Sequence, residues 1–306
     1  MVANKAGLQA YKAKVYIDCS GDADVVAKAG GLYEKGDPDT GELQPATHCF
    51  ILANFDEYAY LNGGKLHSDN RNSAAHTIYN SKEYSLVKDT HMCNSLIGPR
   101  TVGFNAGHIW DVDNTNPLSV SQALMTGRKL ARQLCDGLQK YYPKAFGYAY
   151  LVATANLMGV RETRRIIGDY VLTVEDYNKR RSFLDEIGRN SYYIDVHYSA
   201  REKQLKEQGL LDDRKRIAAY QKGESHGIPY RCLVPVNLNN IIVTGRSISC
   251  ERMVQGSVRV MPVCLVTGQA AGTAASLAVE SKNYNMHNID VTKLRKYLVE
   301  DNAYIL

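Results

Sequence analysis

The sequence lacks several patterns that would identify its chemistry directly. No G-x-G-x-x-G loop occurs in the 306 residues, so the usual glycine-rich cradle for a dinucleotide pyrophosphate is absent from them. None of the seven cysteines forms a C-x-x-C pair, and the eight histidines form neither H-x-x-x-H nor H-E-x-x-H. We therefore expect no metal site. No G-x-S-x-G elbow supports a hydrolase, and the sequence names no catalytic residue.

The chain also has little charge imbalance and no leader-like segment. Its formal net charge of +5 is spread along the sequence, and no basic stripe or nucleic-acid motif occurs, so we expect no nucleic-acid partner. Hydrophobic residues make up 44% of the chain, enough for a sizeable core. The N-terminus has no apolar segment, and the scattered cysteines suit a reducing compartment. These features predict a cytoplasmic protein.

One uncharged run, from Val260 to Val279, is long enough to span a bilayer. It contains a proline, two glycines and several hydroxyl side chains, and no aromatic belt flanks it. Small residues at this spacing can pack membrane helices, but they also suit a soluble helix that lies close to a sheet. We favour the soluble interpretation and expect no membrane association.

The clearest α/β patterns lie at the two ends of the chain. Residues 14–18 predict a short strand, and Ser20-Gly21-Asp22 predict the turn before a helix that ends near Ala29. Towards the C-terminus, residues 232–236 and 241–244 predict buried strands, the second ending at Gly245. After it, Gly268-Gln-Ala-Ala-Gly predicts the opening of a tightly packed helix. Cofactor sites in α/β sheets form at such strand and helix ends.

The middle of the chain has mixed patterns. Strands are predicted over residues 46–55 and 148–156, and the clearest helix over 118–141, with Ser119 and Gln122 as a capping box. Further helices are predicted from Thr173 to about Ile187 and over 290–300, and residues 201–222 predict a polar surface excursion. This layout predicts a discontinuous α/β domain over 1–44 and 227–306, with a mixed α+β domain inserted over 45–226.

Six ordered blocks resemble the FAD-dependent oxidoreductases of the glutathione-reductase-like superfamily. The first block is Lys14-Val-Tyr-Ile-Asp-Cys-Ser-Gly-Asp-Ala-Asp-Val-Val-Ala-Lys-Ala-Gly. The next four are Arg100-Thr-Val-Gly-Phe-Asn, Tyr150-Leu-Val-Ala-Thr-Ala, Gly159-Val-Arg-Glu-Thr-Arg-Arg-Ile-Ile-Gly-Asp-Tyr-Val-Leu and Ile228-Pro-Tyr-Arg-Cys-Leu-Val-Pro. The last runs from Val243-Thr-Gly-Arg-Ser-Ile-Ser through Gln255-Gly-Ser-Val-Arg-Val-Met-Pro to Gly268-Gln-Ala-Ala-Gly.

The resemblance implies a partial FAD-binding Rossmann-like domain with an inserted substrate or cap domain. In that family a G-x-G-x-x-G segment near the start of the chain holds the pyrophosphate. The sequence is similar to the carboxyl two-thirds of such an enzyme. We therefore expect a fragment that retains FAD weakly, with either an N-terminal FAD-binding segment as its partner or self-association of the chain.

The resemblance also implies which residues face FAD. The turn Ser20, Gly21 and Asp22 would lie beside its phosphates and ribose, although an ordinary helix N-cap explains the same residues. Gly245 would offer backbone contact. Arg246 stands where many relatives have an acidic ribityl ligand. The remaining members of the predicted set are Gly256, Ser257, Gly268, Gln269, Ala270 and Ala271, the last four placing a helix end at the flavin ring.

Four charged residues are candidates for substrate contact. Arg161, Glu162 and Arg164 lie in the dense run Arg161-Glu-Thr-Arg-Arg, for which a solvated or ion-paired surface is the ordinary explanation. Arg259 would need a partner if it were buried, and a structural role competes with a flavin-edge role. The resemblance implies hydride transfer between a small-molecule substrate and FAD. The alternative is a non-catalytic binding subunit or inactive remnant without flavin.

Overall fold

The structure is a computed structural model, and it describes residues 1–209 and 217–306. It has a mixed α/β architecture in which helices accompany several small sheets. The chain divides into two compact units. Unit 1 comprises residues 1–41, 162–196 and 204–306, and unit 2 comprises residues 42–161 and 197–203. The boundary at Lys203 falls within the helix α7 (Ala200–Glu207).

The described residues of unit 1 form four two-stranded sheets. The pair that matters for the site is β3 (Tyr16–Asp18) with β12 (Ile241–Val243), which are parallel and in register from Tyr16 opposite Ile241 to Asp18 opposite Val243. The other pairs are antiparallel: β1 (Val2–Asn4) with β2 (Gly7–Gln9), β4 (Tyr33–Lys35) with β9 (Arg164–Ile166), and β10 (Glu186–Asn190) with β11 (His226–Pro229).

The helices that lie wholly within the described residues of unit 1 are α1 (Asp24–Lys28), α6 (Val174–Asn178), α8 (Arg252–Val258), α9 (Met261–Glu280) and α10 (Val291–Glu300). One side of α9 is buried among the aliphatic residues that form the core of this unit, including Leu233, Ile242 and Leu294. Small side chains on α9 allow its backbone to lie close to the strands, because Ala270, Ala271 and Ala274 are fully buried there.

Unit 2 is built on a four-stranded antiparallel sheet. Its strand order is β6 (Met92–Gly98), β7 (Thr101–Ala106), β5 (Phe50–Ala53) and β8 (Tyr150–Thr154). The helices of this unit are α2 (Glu57–Asn62), α3 (Ala74–Ser81), α4 (Pro117–Tyr141) and α5 (Pro143–Phe146). The buried side of α4 joins Phe50, Phe104 and Phe146 in one core, with Phe50 and Phe104 stacked 4.8 Å apart.

Several helix predictions are confirmed, and others are wrong. The long helix over 118–141 is present, but its N-cap is Asn116, whose side chain accepts from the Leu118 N–H, rather than the predicted Ser119 box. Pro117 at the first turn fixes this start. The helix predicted from Thr173 has the capping box with Asp176 but ends at Asn178. The C-terminal helix over 290–300 is confirmed.

The strand predictions are similarly divided. Strands occur within 14–18, 46–55, 148–156 and 241–244. The predicted strand over 232–236 is wrong, because residues 230–233 form a 3-10 turn with buried Cys232 and Leu233. A short apolar run cannot separate a strand from another buried conformation. Part of the polar segment over 201–222 is helical, and its residues 210–216 lie outside the described residues.

The division into units differs from the predicted domain boundaries. The first break, after Gly41, lies close to the predicted one after residue 44. The second predicted boundary, at residue 226, does not coincide with the division, since residues 162–196 belong to unit 1. There β9 pairs with β4, and β10 pairs with β11. Long-range strand pairing of this kind leaves no local sequence signal.

Among the described residues, one helix is long and apolar enough to cross a membrane by length and composition alone, namely α9. Seven of its residues are buried within unit 1. A core helix of a soluble protein meets the same criterion, so α9 alone is weak evidence for a membrane span.

Candidate functional site

The predicted turn and the predicted glycine strand end meet at one edge of the parallel pair. The Thr244 N–H donates to the Asp18 carbonyl at 3.1 Å, just beyond the last paired residues of β3 and β12. Parallel strands end at the same edge, where α/β sheets bind ligands. Residues 18–22 and 244–246, more than 220 positions apart in sequence, therefore form one corner of unit 1.

Asp18 caps the helix that follows the turn. Its buried carboxylate accepts from the backbone N–H groups of Val25 and Val26 at 2.9 and 3.0 Å. The Ser20 hydroxyl donates to the same carboxylate at 2.7 Å and accepts from the Asp24 N–H at 2.9 Å. The first N–H groups of α1 thus already have protein acceptors, as an ordinary helix N-terminus requires. The N-cap residue of α1 is Ala23, so the expectation of an ordinary N-cap at Ser20 or Asp22 is wrong, although Ser20 and Asp18 accept from the first N–H groups.

Arg246 connects the two halves of the corner. Its Nη2 lies 2.8 Å from the buried Asp22 carboxylate. Gly21 has a φ of +77°, and a Cβ built on it would clash with Nη1 of Arg246. The turn therefore needs glycine for its left-handed backbone and for the close approach of the guanidinium.

A second arginine reaches the same turn. Arg164 donates to the Asp22 carbonyl at 3.0 Å and to the Asp24 carboxylate at 2.8 Å, and Thr163 donates to the Asp22 carboxylate. The Nε atoms of Arg164 and Arg246 are both buried and have no hydrogen-bond partner among the described residues. Two cations with an unused donor each therefore border this turn, and such donors suit an anionic group.

Gly245 is held against α9. It has a φ of +84°, and its N–H donates to the Thr267 hydroxyl at 3.2 Å. The Thr267 hydroxyl also lies 2.9 Å from that of Thr244. A Cβ built on Gly245 would have no neighbour closer than Cys264 Sγ at 4.0 Å. The left-handed backbone, rather than crowding, is thus what this position requires.

The prediction that Gly268 opens the last long helix is wrong. Helix α9 begins at Met261 with Pro262 in its first turn, so Gly268, Gln269, Ala270 and Ala271 lie in its interior. Interior N–H groups bond to carbonyls four residues earlier and are not free for a ligand. The proline is the start signal that the sequence pattern offered. A Cβ at Gly268 would lie 3.8 Å from Thr244 Oγ1, which is an ordinary contact, so the approach of α9 to Thr244 does not require glycine at this position.

Gly256, Ser257 and Arg259 also have protein contacts. Gly256 lies in α8, where a Cβ would be 3.0 Å from the Asp195 carbonyl, which accounts for the absence of a side chain. The Ser257 hydroxyl accepts from the Asn190 side-chain amide at 2.7 Å. Arg259 donates to the Asp195 carbonyl at 2.7 Å, and burial lowers the pKa of its guanidinium. These contacts are structural, and a cofactor role for the three residues stays a prediction.

Glu162 lies at the centre of a buried ion network in unit 1. Its carboxylate is fully buried and contacts Arg165 Nη1 at 2.8 Å and Arg252 Nε at 3.2 Å. Arg252 in turn contacts Asp37 at 3.2 Å, and Arg165 contacts Glu34 at 3.2 Å. The expectation of a solvated or ion-paired surface for the 161–165 run is wrong, because Arg161, Glu162 and Arg165 are buried and the ion pairs of Glu162 lie in the interior. A substrate role for Glu162 stays a prediction, and its contacts favour a structural one.

Arg161 belongs to unit 2 and is also buried. It donates to the Pro45 carbonyl at 2.7 Å and to the Thr47 hydroxyl at 2.9 Å. These bonds join Arg161, the last residue of the 42–161 segment, to Pro45 and Thr47 near the start of unit 2. The predicted substrate residues 161, 162 and 164 are thus not brought together as one binding surface, since their side chains contact different partners.

Unit 2 contains a group that the sequence did not predict. His91, His108 and His197, called here the histidine cluster, each offer a ring nitrogen within 4.8 Å of the others. Asp89 accepts from His108 Nδ1, and His108 Nε2 lies 2.8 Å from His197 Nδ1. Burial and the neighbouring His108 keep the pKa of His91 well below its usual range. The short Asp89-Thr-His91 run alone could not reveal partners 17 and 106 residues further along the chain.

The comparisons with known proteins identify the family. A family model described as FAD dependent oxidoreductase matches residues 1–298. The comparisons with curated proteins and with solved structures gave no match. The chain therefore belongs to the family of FAD-dependent oxidoreductases, and the cofactor of this family is FAD.

Proposed function

We propose that the chain contributes the flavin-facing part of an oxidoreductase that transfers a hydride between a small-molecule substrate and FAD. The observation that carries this proposal is the corner at the ends of β3 and β12. There two left-handed glycines, Gly21 and Gly245, expose backbone beside the guanidinium of Arg246. The finer architecture that we propose is a Rossmann-like FAD domain with an inserted substrate or cap domain.

The residues present fit an anionic cofactor. Arg164 and Arg246 each have a buried Nε without a hydrogen-bond partner in the described chain, and Gly21 has no side chain to cover the approach. A phosphate oxygen would satisfy such a donor. When bound, FAD supplies a ring system that accepts or donates a hydride. The role of this chain is to bind and orient that group.

The chain's own contacts fix the geometry of the corner. Asp22 holds Arg246 at 2.8 Å and so limits where its charge can lie. Thr267 holds the Gly245 N–H at 3.2 Å and is itself buried in α9. We propose that both are positioning residues for the cofactor. We also propose that Ser20 lies beside the cofactor, and its hydroxyl donates to the Asp18 carboxylate.

We propose that unit 2 holds the substrate. A groove of about 460 Å³ lies on the four-stranded sheet and is bordered by Ile51, Ile97, Gly103 and Ala153. Cys93 and Asn94 are among the residues that line it. A groove that is mainly apolar with a few polar groups is typical of small-molecule sites.

The pyrophosphate is the part of FAD for which the described residues offer least. The N–H groups at the start of α1 are occupied by Asp18, and no G-x-G-x-x-G loop occurs in the sequence. We propose that a glycine-rich segment outside these 306 residues supplies that grip. A separately expressed segment of this kind should then restore tight FAD binding to the chain.

The experiment that tests the corner is an FAD titration of the full chain, followed by flavin fluorescence. Arg246→Met should weaken FAD binding by about tenfold or more, because a charge-assisted contact is lost. Arg231→Met is the matched control, since Arg231 is an exposed arginine of the same unit, paired with Asp185 at 2.9 Å. Equal affinities of wild type and Arg246→Met would reject the proposed corner.

The second candidate is a non-catalytic chain without flavin. The observation that favours it is the protein capping of α1 together with the absent glycine loop. A chain that shows no FAD binding at any concentration, with or without the glycine-rich segment, would support this candidate. Saturable binding in either condition would exclude it.

A further inference from the structure

We propose that the histidine cluster of unit 2 binds one divalent transition-metal ion of the zinc class, through one ring nitrogen from each of His91, His108 and His197. The three donor atoms lie within 4.8 Å of one another, and all three rings are partly buried. Nothing in the FAD chemistry of the corner requires this site, so the inference is independent of the proposed function.

Two of the ligands, His91 and His108, flank the open end of the β6–β7 hairpin, and the third, His197, comes from a distant segment of unit 2. His91 directly precedes β6 and His108 follows β7, and these strands pair with Met92 opposite Ala106. The Gly107 N–H donates to the His91 carbonyl at 2.9 Å, which closes the open end of the hairpin. His197 is held beside it through its own N–H, which donates to the Gln44 side chain at 3.1 Å.

Asp89 supplies the outer contact that metal-binding histidines usually have. Its carboxylate accepts from His108 Nδ1, which leaves the His108 Nε2 lone pair pointing towards His197. The same carboxylate accepts from the backbone N–H of His91 at 3.1 Å, which holds the backbone of His91 close to Asp89. This orientation fixes the His108 tautomer that ligates a metal through Nε2.

Two further features distinguish the cluster from ordinary packed histidines. The buried Nδ1 of His91 has no hydrogen-bond partner in the described residues, although buried ring nitrogens normally have one. Trp110 packs edge-on to His108 with ring centroids 5.6 Å apart, which shields one side of the site. The Nδ1 of His91 is therefore available as a donor atom beside the hydrogen-bonded pair of His108 and His197.

The metal requires a small rearrangement. Zinc–nitrogen bonds of 2.0–2.1 Å place tetrahedral ligand atoms roughly 3.3 Å apart. In the 2.8 Å hydrogen bond between His108 Nε2 and His197 Nδ1 the proton lies on His197, so His197 would change to its Nε2–H tautomer and the pair would open slightly when the metal binds. The His91 ring, stacked 4.1 Å from His108, would tilt towards them. Three imidazoles with no thiolate suit zinc, copper, nickel or iron(II), and they leave a fourth position for water or a small ligand.

The test is a titration of the chelator-treated full chain with ZnCl₂ by calorimetry, together with the visible spectrum of the Co²⁺ form. We expect one equivalent of metal and the intense absorption of tetrahedral cobalt. His108→Ala and His197→Gln should each weaken zinc binding more than about 100-fold, whereas Asp89→Asn should weaken it by about 10–100-fold, as loss of an outer contact does. The size of the loss in zinc affinity therefore distinguishes a metal ligand from a positioning residue.

The matched control is His67→Ala, because His67 is a histidine of unit 2 that contacts a carboxylate, Asp69, at 3.2 Å. Its zinc affinity should equal that of wild type. Circular dichroism of each variant without metal checks that it folds, and His197→Gln provides a second ligand variant if His108→Ala does not. Unchanged affinity in folded His108→Ala or His197→Gln, or the absence of a stoichiometric site in wild type, would overturn the proposal.

Discussion

At the residue scale, the buried charges of unit 1 are the features that carry most consequence. Glu162 is fully buried between Arg165 and Arg252, and Asp22 is buried between Arg246 and Thr163. Buried ions are tolerated only with close partners, since removal of one partner leaves the other uncompensated. These pairs tie segments 34–37, 162–165 and 246–252 into one unit.

Glu162→Gln should therefore destabilise the protein strongly. We expect the free energy of unfolding to fall by about 3–5 kcal/mol, because two buried guanidinium groups lose their shared carboxylate. Urea unfolding followed by circular dichroism measures the change. The control is Glu175→Gln, which removes an exposed partner of Lys179 and should change stability little. Similar midpoints for the two variants would contradict the central place given to Glu162.

His226 predicts a pH dependence of stability. Burial, with the neighbouring Arg189 and Arg180, lowers the pKa of its ring from 6.5 to about 4. The unfolded chain therefore binds more protons at this residue between those pH values, so stability rises with pH across that window and is lost as pH falls from about 6.5 to about 4. The contribution is roughly 3 kcal/mol.

The measurement is urea unfolding of wild type and His226→Gln at several pH values. The variant should lose less stability than wild type on acidification, since it has no ring to protonate. His76→Gln, a substitution in unit 2, should keep the wild-type slope. If the free energy of unfolding changes with pH equally in wild type and His226→Gln between pH 6.5 and 4, the buried neutral ring of His226 is not the cause of the pH dependence.

At the scale of elements, α9 is the segment whose role changed most between sequence and structure. Its small residues are explained by close packing, because Ala270, Ala271 and Ala274 are fully buried against the strands. Its free N–H groups lie near Met261 and not at Gly268, since the helix begins two turns earlier than predicted. Close packing and flavin contact at Gly268 predict different effects of replacing this glycine with alanine.

The pair Gly268→Ala and Gly272→Ala distinguishes them. A Cβ at Gly272 would meet nothing within 4 Å, and one at Gly268 would make only ordinary contact with Thr244. We expect Gly272→Ala to raise the free energy of unfolding by about 0.5–1 kcal/mol, because alanine favours the helix. Gly268→Ala should be neutral or stabilising and should leave FAD affinity unchanged. Weakened FAD binding in Gly268→Ala alone would restore the predicted contact with the flavin.

At the scale of the whole molecule, the two units have separate assignments in our proposal. We propose that FAD binds at the corner of β3 and β12 in unit 1, and that the groove and the histidine cluster in unit 2 are the substrate and metal sites. The family match covers both units, since it extends over residues 1–298. In the described residues the N-terminus of α1 is not free to bind the pyrophosphate, because Asp18 accepts from the N–H groups of Val25 and Val26.

We accordingly predict that the isolated chain retains FAD weakly. Gel filtration of protein loaded with FAD should remove most of the flavin, because the contacts at Arg246 and the glycine turns act without a pyrophosphate cradle. The absorbance ratio of flavin to protein in the eluted peak measures retention. Stoichiometric yellow protein after gel filtration would contradict this prediction, and it would show that the described residues suffice.

Self-association remains a second prediction for the whole chain. The open side of the sheet in unit 2 exposes Ile97 and its edge strand β8 exposes Tyr150 and Val152, by more than half of each side chain. Exposed apolar edges favour association with another copy. We expect the mass from light scattering to rise with concentration in wild type and to rise less in Ile97→Lys. A monomer at high concentration would exclude association.

The sequence predicted features that depend on near neighbours along the chain. The long amphipathic helix, the Thr173 capping box and the strand ending at Asp18 follow from local periodicity and capping. The placing of Gly21 and Gly245 beside FAD rests on the family resemblance and stays a prediction. Pro262 is a signal for the helix start at Met261. Glycine is also a boundary signal, so the sequence pattern predicts the start at Gly268 instead.

By itself the sequence determined the mixed α/β class, the family and the residues of the glycine turns, because these are encoded in contiguous segments. Only the tertiary structure decided which distant charges meet. It paired Asp22 with Arg246, buried Glu162 between two arginines and gathered His91, His108 and His197 within 4.8 Å. The physical reason is that ion pairing and metal ligation depend on distances in space, which strand register and loop closure set.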